Sequence, residues 1–421
     1  MKQVFIFGLC LVAAYSYAQS PGTKQLPPPS KSHIKFAKSQ GWKEGEKPVA
    51  PAGFKVTKFA EGFQNPRATY ELPNGDVLVV ESNKNMDLIY QVGATVIGAS
   101  SSLDLKQSAD RITLLRDANK DGIPETRNYF LVDLNQPYGM LLIGNWFYVA
   151  NTDALVRYPY SGSETAISAG PQKIADLPAG KKNQHWTRNI ITNSDSSKIY
   201  VTIGSSSNIA EHGPDEEIMR GCIIEMNLDG SNKVTYASGF RNPVGIDWAP
   251  GTKTLWVTVN ERDMLGDDLV PDYFTAVKQG GFYGWPYVYW GQHYDNRVKD
   301  PPVDLVKKAI VPDVDLGSHV APLGLAFCRH KAFPAKYRSG AFIAEHGSSN
   351  RSVLSGYKVV FVPFKKGKPS GPPEDFLTGF IIDLDKAEVH GRPAGVAFLR
   401  DGSMLVTDDL ENTIWRIEAA K

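Results

Sequence analysis

Residues 73–82 read PNGDVLVVES, a tight turn that runs straight into a short β-branched stretch and stops at polar residues. Asn-Gly and Asp-Gly pairs supply the left-handed backbone that a two-residue hairpin needs, and Val-rich runs pack well on a pleated surface. The unit returns five times, at 144–152 (GNWFYVANT), 194–205 (SDSSKIYVTIGS), 250–261 (PGTKTLWVTVNE), 338–346 (RSGAFIAEH) and 400–409 (RDGSMLVTDD). Intervals of roughly 50 to 90 residues suit one four-stranded sheet plus loops per repeat. No helix-period stretch of useful length competes, and radial repetition is how a long all-β chain avoids exposed sheet edges. The pattern predicts an all-β, six-bladed β-propeller over residues 54–421, with a large sandwich or two β domains as the alternative. Chemistry in such a fold sits on loops at one mouth of the channel. Informative residues should therefore stand just after each apolar run or just before the next.

Composition agrees with a globular chain. Among 421 residues, 46 Lys+Arg face 45 Asp+Glu, with 42% hydrophobic and 22% charged residues. That balance excludes disorder, collagen and a polytopic membrane protein, and near-neutrality argues against a general nucleic-acid binder. At the N-terminus, Lys2, an apolar run from Val4 to Tyr15 and the small residues of Ser16-Tyr17-Ala18 before Gln19 read as a signal peptide over residues 1–18. The expectation is a periplasmic or secreted protein, and a buried N-terminal helix is the alternative. No later stretch is long and apolar enough to be a transmembrane segment. Removal of the leader leaves Cys222 and Cys328, which nothing in the sequence brings together, so two buried free thiols are expected rather than a bridge. Residues 19–53, rich in Pro, Lys, Ser and Gly, read as a linker or a wrapped tail.

Polar segments stand where the repeat predicts them. They are QHWTR (184–188), GFRNP (239–243), NERD (260–263) running into GDD (266–268) and GGFYGWP (280–286), then SHVAP (318–322), EHGSSNR (345–351) and GRP (391–393). The run GFRNPVGIDWAP, a strand, an acidic loop and GGFYGWP together resemble the quinoprotein glucose and sorbosone dehydrogenases. HWTRNII with IYVTIGSSSN, HVAPLGLAF, EHGSSNRS and GRPAGVAF are similar to the sorbosone and pyranose branch. The resemblance covers most of Phe54 to Ile417. Each motif alone is weak, and their shared order is specific. It implies oxidation of an aldose, pyranose or sorbosone-like sugar by hydride transfer to pyrroloquinoline quinone (PQQ) on a six-bladed propeller, assisted by Ca²⁺ and a histidine general base.

PQQ is a planar tricarboxylate, and arginine meets carboxylates in forked pairs that lysine cannot reproduce. The resemblance places Arg241 and its neighbour Asn242 on the quinone and Arg392 near the cofactor carboxylates. Ala394 stands where the family has a second arginine. His319 falls at the cofactor edge, Arg351 falls near a cofactor lysine of the glucose branch, and Arg67 opens the first repeat toward the same mouth. For each arginine the alternative is a surface salt bridge of little worth. His185 matches the family's catalytic histidine, since a neutral imidazole can take the sugar hydroxyl proton near pH 7. The family's supporting aspartate is replaced by Ser205, so an unperturbed titration near about 6.5 is expected; a structural histidine is the alternative.

For the metal, the resemblance implies a Ca²⁺ on the quinone oxygens as Lewis acid, held by Glu261 and by the carbonyls of Asp263 and Met264. A solvated acidic loop is the other reading. Separately, Asp117, Asn119, Asp121 and Gly122 follow a D-x-N-x-D-G calcium loop, with Glu125 in place of the later EF-hand glutamate; an unoccupied polar turn is its alternative. Tyr283, Trp285, Tyr287 and Trp290 either stack on sugar or quinone or pack the channel wall. With no Cys-x-x-Cys-His, electrons must leave to a separate acceptor, a cytochrome or a quinone-linked protein. A second class stays open: a PQQ-free propeller, either a Ca²⁺-dependent lactonase or a binding module. The missing aspartate at Ser205 and the missing arginine at Ala394 motivate it.

Overall fold

The computed structural model describes residues 25–85 and 107–420; the signal-peptide reading of residues 1–18 falls outside them. The six repeat units become Val77–Glu81, Trp146–Ala150, Lys198–Ile203, Leu255–Asn260, Gly340–Glu345 and Met404–Asp408. Each is the second strand of its own antiparallel sheet, and among the described residues six sheets have four or more strands. The first strands are Pro66–Glu71, Gly139–Ile143, Ile190–Thr192, Asn242–Trp248, Pro322–Phe327 and Pro393–Phe398. The last sheet takes its outer strand, Phe54–Glu61, from the start of the chain, where it pairs with Thr413–Ala419. Helix among the described residues is confined to Val303–Val306 and two 3₁₀ turns, Pro214–Glu217 and Ala335–Tyr337.

The first strands touch one another in chain order, and Pro393–Phe398 returns to touch Pro66–Glu71. The approach is close. A Cβ on Gly245 would stand 2.4 Å from the carbonyl oxygen of Leu323, and one on Gly324 would stand 2.6 Å from the amide nitrogen of Val396. Only glycine permits such backbone contact.

Between each pair of neighbouring sheets lies one apolar cluster. Ile112 packs with Phe147, Tyr148 with Ile199, Tyr200 with Val257, Trp256 with Phe327, Phe342 with Trp415, and Val79 with Ile414. Successive residues of one strand serve opposite clusters, as Phe147 and Tyr148 do, because side chains alternate across the pleat. This explains why the repeat units read as unbroken apolar runs: both faces of every second strand are buried.

Cys222 and Cys328 are free and buried, and burial pushes the Cys222 thiol up to about 12. Residues 25–53 lie along the sheets' surface. Lys38–Ser39 pairs in parallel with Glu388–Val389, and the Trp42 indole stacks on His390 and donates to Asp408 at 2.8 Å.

Candidate functional site

First strands begin, and second strands end, at the same end of every sheet, so the residues flanking them meet there. The floor is apolar: Tyr138 and Trp186, just before the first strands of their sheets, and Val244, Leu323 and Ala394, within theirs, form a single buried cluster. Ala394 is fully buried in it. An arginine at that position would have to place its charge among these apolar groups, which costs several kcal/mol unless paired.

Arg67 and Arg392 meet on one carboxylate. Arg67 Nη1 donates to Asp409 at 2.5 Å, Arg392 Nε donates to it at 3.1 Å, and His346 Nε2 lies 2.9 and 3.0 Å from its two oxygens. Arg67 also lies over the Trp186 ring, 5.4 Å from its centroid. Burial alone would raise the Asp409 pKa, but Arg392, His346 and Arg67 together hold it well below the carboxylate range. Burial and the Arg392 charge push His346 down to about 4, so its ring is neutral near pH 7.

A second cluster forms on Asp263. Arg241 Nη2 donates to its carboxylate at 2.8 Å and Nη1 donates to the Glu261 carbonyl at 2.7 Å, while the buried Arg241 Nε has no partner. His319 Nδ1 approaches Asp263 at 3.3 Å, and its Nε2 donates to the Gly266 carbonyl at 2.9 Å. Burial would lower the His319 pKa, but these two acceptors outweigh it and the shift is upward. With both ring nitrogens facing acceptors, His319 is a poor proton acceptor.

His185 differs from both. Its Nδ1 lies 3.0 Å from the Ser205 carbonyl and 2.9 Å from the Ser205 hydroxyl, whose own proton goes to the Ser207 carbonyl at 2.6 Å. A carbonyl can only accept, so Nδ1 carries the proton and Nε2 keeps its lone pair. Among the described residues Nε2 has no hydrogen-bond partner. Burial, then the nearby Arg241 charge, lowers its pKa well below 6.5. The near-ordinary titration expected for a serine-supported histidine is thus corrected. Gln184, the chain neighbour of His185, lines a cavity of about 760 Å³ together with Lys84, Asn135, Gln136, Asn183 and Ser206, among others.

Other expected residues lie elsewhere or are already engaged. Arg351 is half-buried: it pairs with exposed Asp268 at 3.2 Å, its Nη1 lies 3.5 Å from the Ser318 carbonyl, and its buried Nε has no partner. Asn242 is buried at the start of its strand with Oδ1 unpartnered. Tyr283, Trp285 and Trp290 are buried packing residues; Tyr283 stacks on Phe240, and the Trp285 indole donates to the Asn208 carbonyl at 2.9 Å.

The carbonyls assigned to calcium do not fit it. Asp263 O accepts from Asn208 Nδ2 at 3.1 Å and Arg297 Nη1 at 3.0 Å, and Met264 O accepts from the same Nη1 at 3.2 Å. A guanidinium already bridges both oxygens. Glu261 spends one oxygen on Arg262 and leaves Oε1 unpartnered, a single donor where calcium takes six to eight.

Asp117, Asp121 and Glu125 do come within 4.8 Å of one another. Their loop joins Arg111–Arg116 to Thr126–Leu131, at the end of the first sheet opposite the site. Asn119 Oδ1 accepts from the Asp121 amide there, so it shapes the turn.

Sequence reasoning missed Asp409, His346 and Arg297. The first two stand directly after second strands, the position the repeat marks as informative.

The family model described as glucose/sorbosone dehydrogenase matches residues 147–351, and a TrAA12-like model matches residues 304–420. A curated, uncharacterised protein of Borreliella burgdorferi is 32% identical over 294 residues, covering 68% of this chain and 76% of that protein. Among solved structures, a Trichoderma reesei carbohydrate-active enzyme of family AA12 superposes with TM-score 0.72 at 18% identity, over 92% of this chain and 99% of its own. The holo form of the pyranose dehydrogenase PQQ domain from Coprinopsis cinerea gives 0.69 at 18%, over 91% and 100%. The PQQ-bound aldose sugar dehydrogenase of Streptomyces coelicolor gives 0.56 at 17%, over 88% and 100%.

Proposed function

The chain belongs to the glucose/sorbosone dehydrogenase family, and from that membership we propose that it is a PQQ-dependent sugar dehydrogenase. In this reading the six sheets are the blades of a propeller over residues 54–421, the protein works in the periplasm or outside the cell, and its electrons pass to a separate acceptor protein. The substrate is an aldose, pyranose or sorbosone-like sugar.

The donor set suits a polyanionic cofactor. Arg67, Arg241 and Arg392 bring three guanidiniums to the mouth, on the carboxylates of Asp409 and Asp263, with His319 beside Asp263. The buried, unpartnered Arg241 Nε is the kind of donor a bound anion would satisfy. Arg241 and Asn242 would hold the quinone, with Arg67 and Arg392 nearby on Asp409. When bound, PQQ supplies the carbonyl carbon that accepts hydride. The chain's own part is the proton: His185 Nε2 takes it from the sugar hydroxyl. Carboxamides and Lys84 in the adjoining cavity suit sugar hydroxyls.

The observation that carries this reading is the imidazole of His185, held in one tautomer by Ser205 and neutral beside Arg241. The Ser205 carbonyl and hydroxyl do the orienting work of the missing aspartate, which removes one motive for a non-catalytic propeller. Arg67 and Arg392, together on Asp409, bear on the other, since two guanidiniums meet there despite Ala394. Among the described residues no acidic cluster of metal-binding geometry lies at the mouth, as a calcium lactonase would need.

Arg241→Ala should weaken PQQ binding by on the order of 2 kcal/mol or more, because a buried charge-assisted contact is lost. Calorimetric titration of apo-protein with PQQ checks this; equal affinity in mutant and parent would remove Arg241 from the site.

A further inference from the structure

Arg297 belongs to no motif of the sequence, yet it stands on the turn to which a cofactor cation would be assigned. Its guanidinium is held from behind by Asp295, whose oxygens accept from Nε at 2.8 Å and Nη2 at 2.6 Å. Asp295 is in turn fixed by Arg262 Nη1 at 3.0 Å, and Arg262 is fully buried with further bonds to the Pro286 and Val288 carbonyls. This backing leaves Nη1 aimed forward at the Asp263 and Met264 carbonyls, 3.0 and 3.2 Å away.

Two features make that arrangement exclusive. Both lone pairs of the Asp263 carbonyl are engaged, one by Arg297 and one by Asn208. A Ca²⁺ placed ~2.4 Å from that oxygen would also stand within about 5.4 Å of Nη1, a fixed positive charge. Metal entry would require the Arg297–Asp295 fork to open.

We propose that Arg297 is a built-in cation replacing calcium at the Asp263–Met264 turn, so that this protein binds PQQ without a metal ion. The inference rests on the PQQ reading of the site. Arg297 acts as a positioning residue: it fixes the turn whose Asp263 carboxylate orients Arg241 and His319.

The test is the PQQ dissociation constant of the full chain, read from the quinone absorbance in excess EGTA and again in millimolar Ca²⁺. The parent should give values within about twofold of each other. Arg297→Ala frees the Met264 carbonyl and one lone pair of the Asp263 carbonyl; its affinity in EGTA should fall about tenfold or more and recover in part on adding Ca²⁺. Arg297→Lys, which keeps a charge without the fork, should lie between the two. A parent whose affinity falls tenfold in EGTA and is restored by Ca²⁺ overturns the proposal and leaves the PQQ reading standing, even if the alanine variant does not fold. A parent that takes up PQQ in neither buffer overturns the functional reading, and this proposal with it.

Discussion

His185→Ala should lower turnover by about 10²- to 10⁴-fold while PQQ affinity stays close to that of the parent. The expectation follows from the division of labour at the mouth. The His185 ring bonds to Ser205 alone and pairs with none of the carboxylates that organise Arg67, Arg241 and Arg392. Removing its imidazole deletes the proposed proton acceptor and leaves the cation clusters in place. The proton inventory adds a sign. His185 is pulled below 6.5 by burial and then by Arg241, so the neutral form is favoured to lower pH than in an ordinary histidine. An unperturbed imidazole would be only about one quarter neutral at pH 6. An NMR titration of the apo-protein should instead show the His185 ring still neutral there. A ring protonated with a midpoint at or above 6.5 would contradict its placement, and full turnover by a PQQ-loaded alanine variant would assign the proton to another group. His319 is a poor substitute, because both of its nitrogens face acceptors and its pKa is raised.

The second large effect belongs to Asp409. Asp409→Asn keeps the shape of the side chain and removes the charge on which Arg67, Arg392 and His346 converge. Taking one partner from a buried ion pair typically costs about 3–5 kcal/mol, because the remaining charges stay desolvated and unmatched. Urea unfolding should show a loss of that order with an unchanged denaturant slope. PQQ binding should weaken as well, since the two guanidiniums lose the anchor that sets their separation. A variant with parental stability would mean that Arg67 and Arg392 are solvated independently of Asp409.

Much of this architecture is legible in the chain, for an identifiable reason. Second strands such as Trp146–Ala150 and Leu255–Asn260 bury both faces between neighbouring sheets, so they read as unbroken apolar runs after a turn. First strands are quieter, because their packing depends on small residues at the circuit they form. A Pro-x-Gly triplet nonetheless opens four of them, at 137–139, 243–245, 322–324 and 393–395, with Pro66-Arg67-Ala68 as a variant. That repeat marks the floor of the site, since its middle residues are Tyr138, Val244, Leu323 and Ala394. Arg67 occupies the same place in the variant triplet and reaches Asp409, 342 residues away in sequence.

What stayed illegible depends on distant partners. The aspartate missing at Ser205 left His185 without a side-chain partner to orient it, and a main-chain carbonyl, which no side-chain pattern reveals, takes that place. The acidic loop at Glu261 to Asp268 suggested a calcium site, and only the fold brings Arg297 onto its carbonyls. Trp42, in a stretch with no apolar periodicity, docks on Asp408 beside the Asp409 cluster. Each of these contacts is a single long-range pairing with no local periodic trace.

The most direct test of the central claim is reconstitution. Purified apo-protein mixed with PQQ, in EGTA or in millimolar Ca²⁺, should take up one equivalent with a shifted quinone absorbance in at least one of the two. Adding aldoses and pyranoses one at a time should reduce the bound quinone and, through it, an artificial electron acceptor for at least one sugar. A chain that leaves the PQQ spectrum unchanged, or binds PQQ and reduces it with no sugar, would contradict the assignment.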